Sequence, residues 1–260
     1  MSEETRIDPT IAYDVVELPS RGIHYANKKK SVRIAYLTAP DEDILAAQNL
    51  INTSSTIPEL LRRKILDRDL PVDEIVEEDK QAILIFLRNT AWGSDYKIIL
   101  IDPKPKKGFV YLDDDGRFEH MLDLSSLKMK PFNLKEDANG EYSYFCEKSS
   151  ANITFKFLTK LQESEIEKIT ESWNGNGVPP TKTKELEMMI KSVQGIRDPM
   201  QIHSYIVDRM PIKDSQDFRK FVNENKPGLD LTQKVTAPSG EVITAQVGFG
   251  VEFFRPFYGL

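Results

Sequence analysis

Glu78 to Asp102 reads EDKQAILIFLRNTAWGSDYKIILID, and the fold turns on how it is read. It holds the most apolar run of the chain, Ala82-Ile-Leu-Ile-Phe-Leu87, followed by a turn and a β-rich run from Tyr96 to Ile101. Asp79 is placed to cap a helix by accepting a hydrogen bond from a free N–H two or three residues on. Gly93, just after Trp92, stands where a left-handed residue would end that helix. Six apolar side chains in succession leave no polar face, so the helix is expected to be surrounded by the rest of the protein. The stretch implies a buried scaffold rather than a reaction.

The bulk numbers agree with a scaffold of ordinary globular kind. With 260 residues the chain can bury a sizeable core in one large domain or two smaller ones. Hydrophobic residues make up 40% and charged residues 29%, which excludes a disordered chain. A net charge of −6 argues against a nucleic-acid binder, which needs a dominant basic face. The single cysteine, Cys146, excludes an intrachain disulfide framework and a multi-thiolate metal site, and it fits a reducing compartment. Nothing approaches the roughly 18 consecutive apolar residues of a membrane span, and MSEETRIDPT lacks the basic-then-apolar pattern of a secretory signal. The expectation is a protein that is made in a cytosol and stays there, without membrane insertion.

On the N-terminal side of the central stretch, Tyr13 to Leu18 reads as a strand, Pro19 to Gly22 as a turn and Ile23 to Ala26 as a return. Asn27-Lys-Lys-Lys30 reads as a solvated hairpin tip, and Ser31 to Leu37 alternates polar and apolar residues like a half-buried strand. Thr38-Ala-Pro-Asp41 is a helix start in which Asp41, Glu42 and Asp43 suit the positive end of the helix dipole. That helix is expected to reach about Leu50. A second start at Ser55-Thr-Ile-Pro58 opens a short helix from Glu59 to Leu66.

On the other side, Asp102-Pro-Lys-Pro-Lys-Lys-Gly108 is a turn. Phe109 to Leu112 and Phe118 to Leu122 read as strands about Asp113-Asp-Asp-Gly116. That turn lacks the spaced ligands and closing glutamate of a calcium loop. Tyr142 to Glu147 and Asn152 to Leu158 form the next expected hairpin. Ser164-Glu-Ile-Glu167 reads as a capping box for a helix to about Trp173. Helices are expected near Thr183 to Val193, Pro199 to Arg209 and Asp214 to Asn225. Strands follow from Leu229 to Val235 and Glu241 to Phe249. Trp173, Met188 and Met189 read as core packing. The expected class is α+β, with antiparallel strands and hairpins around a buried central helix and a helical C-terminal half that returns to strands. The regions are 1–158, 159–228 and 229–260, the strands of the last expected to pack back on the N-terminal sheet.

No catalytic signature appears. His24, His120 and His203 each lack a nearby partner in sequence, and no G-x-S-x-G, H-E-x-x-H, P-loop or G-x-G-x-x-G pattern is present. Cys146, in an expected strand, reads as a buried inert thiol.

Several phrases together resemble one family. They are Glu17-Leu-Pro-Ser-Arg-Gly-Ile-His-Tyr25, Ile34-Ala-Tyr-Leu-Thr-Ala-Pro-Asp-Glu-Asp-Ile-Leu45 and Asp79-Lys-Gln-Ala-Ile-Leu-Ile-Phe-Leu-Arg88. To these are added Trp92-Gly-Ser-Asp-Tyr96, Pro227-Gly-Leu-Asp230 and Val251-Glu-Phe-Phe-Arg-Pro256. Their order resembles the baseplate hub and hub-assembly proteins of T4-like contractile-tailed bacteriophages. The resemblance implies a non-enzymatic tail protein, hub subunit or assembly factor, whose partners are other baseplate or hub proteins. Its place would be the host cytoplasm during assembly and, for a structural subunit, the virion tail baseplate. Members often carry two C-P-x-C knuckles that form a four-thiolate zinc site. The matching places here read Asp102-Pro-Lys-Pro105 and Ala237-Pro-Ser-Gly240, so all four sulfurs are absent, at Asp102, Pro105, Ala237 and Gly240. The expectation is no zinc and no other cofactor, with the two tetrapeptides close in space. Phe253, Phe254, Arg255, Phe257 and Tyr258 form the expected partner contact, since aromatic residues and arginine anchor interfaces. For Phe253 and Phe254 the alternative is packing on the protein's own sheet. Two other classes stay open: a tail-associated peptidoglycan hydrolase, and a degenerate zinc-ribbon nucleic-acid binder using the lysines at 28–30 and 104–107.

Overall fold

The computed structural model describes residues 10–46, 56–173, 177–249 and 251–254. Its class is α+β, with seven helices and nine strands among the described residues. The strands form small antiparallel sheets.

The chain begins with β1 (Tyr13–Glu17) and β2 (Ser31–Ala35), paired from Tyr13 with Ala35 to Glu17 with Ser31. The residues between them do not make the expected return strand at 23–26. They form a run of turns, closed by the Leu18 N–H on the Lys30 carbonyl at 2.8 Å. Helix α1 (Ala39–Ala46) starts where Thr38-Ala-Pro-Asp41 predicts, and the Thr38 N–H and hydroxyl both donate to the Asp41 carboxylate. Its expected end near Leu50 lies outside the described residues. Helix α2 (Thr56–Lys64) follows.

The central helix α3 (Glu77–Trp92) buries Ile83, Leu84, Ile85 and Leu87 of its apolar run, while Ala82 and Phe86 are half-buried, so it is covered on most sides and not surrounded. Gly93 ends it with φ +85°, a conformation that costs glycine little. The start differs from expectation. Val76 is the cap residue and makes no side-chain cap bond, while Asp79 sits inside the first turn with its carboxylate turned to another part of the chain. Strand β3 (Asp95–Ile101) leaves the helix and pairs with β4 (Arg117–Asp123) in full register, Asp95 with Asp123 through Ile101 with Arg117. Phe109 to Leu112 is loop and not strand, and the strand expected beside it, β4, pairs with β3 instead.

A three-stranded sheet follows: β5 (Tyr142–Cys146), β6 (Ala151–Phe155) and β7 (Ile190–Val193), in that spatial order. Helix α4 (Lys160–Glu171) packs beside α5 (Thr181–Met189) and Val72–Glu74, and α5, α6 (Pro199–Ser204) and α7 (Ile212–Asn225) lie against the sheet. Helix α4 starts before the expected Ser164 box, because Thr159 and Gln162 already make a reciprocal capping box. The helix expected to reach Val193 stops at Met189, and its last four residues become β7 by pairing with β6. A final hairpin, β8 (Thr232–Thr236) with β9 (Val242–Gln246), precedes a short turn at Val251–Phe254.

Two hydrophobic clusters organise these parts. The first takes Val16 and Ile34 from β1–β2, Leu60 from α2, Leu84 and Leu87 from α3, Phe118 from β4, Val235 and Ala245 from β8–β9, and Phe253 and Phe254. The second takes Tyr142 and Phe155 from β5–β6, Met189 from α5, and Phe218 and Val222 from α7. This partition differs from an expected boundary at 158/159 because β5 and β6 pack with the helices that follow them, while the last hairpin packs with the first half, as expected of 229–260. Between the clusters, Lys226 reaches Glu78 at 2.9 Å and Glu163 at 3.5 Å.

Candidate functional site

Two segments far apart in sequence meet at the end of β3. Asp102 follows the last strand residue, and its carboxylate accepts from the Ser239 N–H at 2.9 Å and the Ser239 hydroxyl at 2.6 Å. The Lys104 N–H at 3.0 Å and the Tyr111 hydroxyl at 2.9 Å complete its partners. Lys106 Nζ donates to the Ser239 carbonyl at 2.7 Å, and Lys104 Nζ pairs with Glu241 at 2.6 Å. Burial alone would raise the Asp102 pKa. The four donors, the Ser239 hydroxyl foremost, overcome it and bring it down to about 2.

The other positions of the two tetrapeptides shape the same junction. Pro105 packs on Gly116, where an added Cβ would stand 3.0 Å from the Pro105 Cβ. Gly116 also has φ +79°, so a side chain there would be strained twice over. Ala237 is buried, and Gly240 with φ +92° closes the β8–β9 hairpin through its N–H on the Ala237 carbonyl. The tetrapeptides thus touch, joined through the Asp102 carboxylate. Among the described residues, no group of three His, Cys, Asp or Glu side chains is arranged to hold a metal ion.

The expected terminal contact is corrected in part. Phe253 and Phe254 are core residues, each 1% exposed. Phe253 packs on Tyr96 and Phe249, and Phe254 on Trp92. Their burial follows from the cage of aromatic rings at the C-terminal end of α3. Arg255, Phe257 and Tyr258 lie outside the described residues.

Arg88, which sequence reasoning carried only as the last letter of a motif, is the polar centre of that cage. It is fully buried, and its guanidinium donates to the Gly93 and Asp95 carbonyls, both at 2.7 Å. The guanidinium also lies over the Tyr96 ring at 5.0 Å and the Phe253 ring at 5.6 Å. Burial lowers its pKa, with Tyr96 and Asp95 acting the other way. An arginine closing an all-apolar helical run, one turn before a Gly-Ser turn, was the available signal. Cations suit the carbonyl end of a helix.

The surface beside the Asp102 junction sets exposed apolar side chains among charged ones. Ile99 and Ile101 of β3, Met121 of β4, and Phe109, Val110 and Leu112 of the connecting loop are each more than half exposed. Alternation along β3 puts Ile99 and Ile101 on one face, and the register sets them beside Glu119 and Arg117. Lys97 pairs with Glu119 at 3.0 Å on the same ribbon. The loop is tied to the ribbon through the Leu112 N–H on the Arg117 carbonyl and the Tyr111 hydroxyl on Asp102.

The remaining candidates are placed as follows. His203 Nδ1 meets Glu187 at 2.6 Å, a partner 16 residues away that sequence reading missed. Met189 is core, while Trp173 is exposed. Cys146 is buried, and burial raises its thiol pKa above the ordinary range. No described helix is long and apolar enough to cross a membrane. Comparison with protein-family models, with curated proteins and with solved structures gives no match.

Proposed function

We propose that this chain is a non-enzymatic tail protein of a contractile-tailed bacteriophage, a baseplate hub subunit or hub assembly factor that works through protein–protein contacts. The resemblance of its ordered phrases to that family supports the reading. The observation that carries it furthest is the group of exposed apolar side chains on the β3–β4 ribbon. Exposed apolar side chains gathered on a sheet with unpaired edges offer a partner a place to dock. Ile99, Ile101 and Met121 on the ribbon and Phe109, Val110 and Leu112 on its loop are exposed apolar side chains set among Lys97, Arg117 and Glu119, on a part of the chain anchored by Asp102. The partner expected there is another baseplate or hub protein, and the contact replaces the terminal one for Phe253 and Phe254.

Co-expression with the adjacent tail genes tests the reading, followed by mass spectrometry of the purified complex and of mature virions. A stoichiometric complex with a baseplate or hub protein is the expected result. A chain that purifies alone in the presence of every tail protein, or that degrades cell-wall polymer in a zymogram, would refute it.

A further inference from the structure

A cleft of about 340 Å³ opens where the two hydrophobic clusters approach each other, within the range of small-molecule sites. Tyr25 of the first cluster and Tyr142 and Phe157 of the second line it. Lys28, Lys156 and Lys191 are among the lining residues, with one carboxylate, Glu136, while Glu78 and Glu141 act from nearby on His24 and Lys191. In a chain whose net charge is −6, the lining itself is a local reversal of sign. Thr159 and Gln162 also line the cleft, so the 12-residue helix α4 directs its positive end there.

The charges are incompletely answered from within the protein. Glu136 is shared between Lys28 at 3.4 Å and the Tyr142 hydroxyl at 2.9 Å. Lys191 gives one hydrogen bond to the Met188 carbonyl at 2.7 Å, and its ammonium form is disfavoured by burial and then by the neighbouring Lys156. Lys156 is exposed and has no side-chain partner among the described residues.

His24 supplies an independent mark of a ligand. His24 is among the residues that line the same cleft and is 4% exposed. Nδ1 lies 2.6 Å from the Leu158 carbonyl, which only accepts, so Nδ1 carries the proton. Nε2 is then a bare acceptor, buried and without a partner. Burial holds the imidazole neutral and lowers its pKa to about 4. The Leu158 carbonyl and Glu78 oppose this, and Lys226 and Lys28 add to it. An unpaired buried acceptor costs free energy unless a ligand or solvent donor meets it.

We propose that this cleft binds a phosphate group. At neutral pH hydrogen phosphate carries anionic oxygens for Lys156, Lys191 and Lys28 and an O–H that donates to His24 Nε2. Sulfate matches the charge but has no O–H at that pH, and it separates the two requirements. The site joins the two clusters, so occupancy would tie them together, independently of any contact at the β3–β4 ribbon.

The test is proton NMR of the three histidines with thermal melting of the full chain, during titration with inorganic phosphate, a small phosphomonoester, or sulfate at matched ionic strength. The expected result is a saturable shift of the His24 ring signal, with His120 and His203 unmoved, and a rise in Tm that sulfate does not reproduce. Lys156→Gln changes an exposed side chain, and it should weaken phosphate binding about tenfold, near 1.4 kcal/mol, without altering the phosphate-free melt. A tighter ester than free phosphate would assign the site to an esterified ligand. Equal responses to phosphate and sulfate, a shift shared by all three histidines, or unchanged binding in Lys156→Gln would each overturn the proposal.

Discussion

Asp79 and Asp102 stand at opposite ends of the central helix–strand unit, and each holds a distant turn. Asp79 accepts from the Ser20 N–H at 2.8 Å, the Ser20 hydroxyl at 2.5 Å and the Tyr25 hydroxyl at 2.6 Å, which anchors the Leu18–Lys30 turns to α3. Asp102 accepts from two atoms of Ser239, the Lys104 N–H and the Tyr111 hydroxyl, which anchors the last hairpin to β3. The chemistry is the same and the titration is opposite. At Asp79 desolvation by the surrounding core exceeds the hydrogen bonds from Ser20 and Tyr25, so the pKa is raised. At Asp102 the donors exceed burial, and the pKa falls to about 2. The number of donors aimed at a carboxylate, weighed against the depth of its burial, decides which way it shifts.

Removing the deeper junction should cost most. Asp79→Ala leaves three buried donors without an acceptor, at about 1–3 kcal/mol each and less than additively. A loss of about 3 kcal/mol in urea unfolding is expected. A loss below about 1 kcal/mol would mean that the Ser20 turn finds other partners. Tyr25→Phe removes one of those donors along with its second bond, from the Val76 N–H at 3.3 Å, and should cost about 1–2 kcal/mol.

Asp102→Ala should lower Tm by less than Asp79→Ala and loosen only the far hairpin. Hydrogen exchange at Val242–Gln246 would speed up while α3 stays protected. Uniform acceleration across both would contradict a local anchor. Ser239→Ala removes the strongest donor alone, so the smaller expected change is a rise in the Asp102 pKa, read by carboxyl NMR.

The opposite shifts also predict opposite signs against pH. The depressed pKa of Asp102 adds stability that is complete above its ordinary 3.8 and lost as pH falls through about 2. The raised pKa of Asp79 subtracts stability once pH exceeds its folded value, and acid relieves that penalty. Asp102→Asn should therefore lose less stability than wild type between pH 4 and pH 2. An identical slope in the two proteins would show that Asp102 titrates normally.

The same contrast explains what could be read from the sequence. The central helix and its Gly93 end were legible because six apolar residues and a glycine act locally. So were the pairings of β5 with β6 and β8 with β9, where short turns join alternating runs. Asp79 was legible as an acid near a helix start, but its partners lie 59 and 54 residues away. Residues 23–26 were misread as strand because their order comes from those same bonds. Ile190 to Val193 were read as the end of a helix, whereas pairing with β6 across the sheet makes them strand. At the candidate site, the meeting of the two proline-bearing turns followed from the resemblance, whereas Ser239 as the joining residue did not. The ribbon was legible only as a strand, since alternation does not say which face is covered. Arg88 and the His24 cleft depend on tertiary burial that no local pattern encodes.

Both carboxylates are saturated by protein donors, which leaves the surface as the place for the proposed work. The most direct test pairs Ile99→Asp with Ile101→Asp in one variant and co-expresses it with the hub and baseplate proteins that purify with wild type. These side chains are solvated, so the melt should be unchanged, while the partner should be lost from the purified complex. Full retention of the partner by a folded variant would contradict the account.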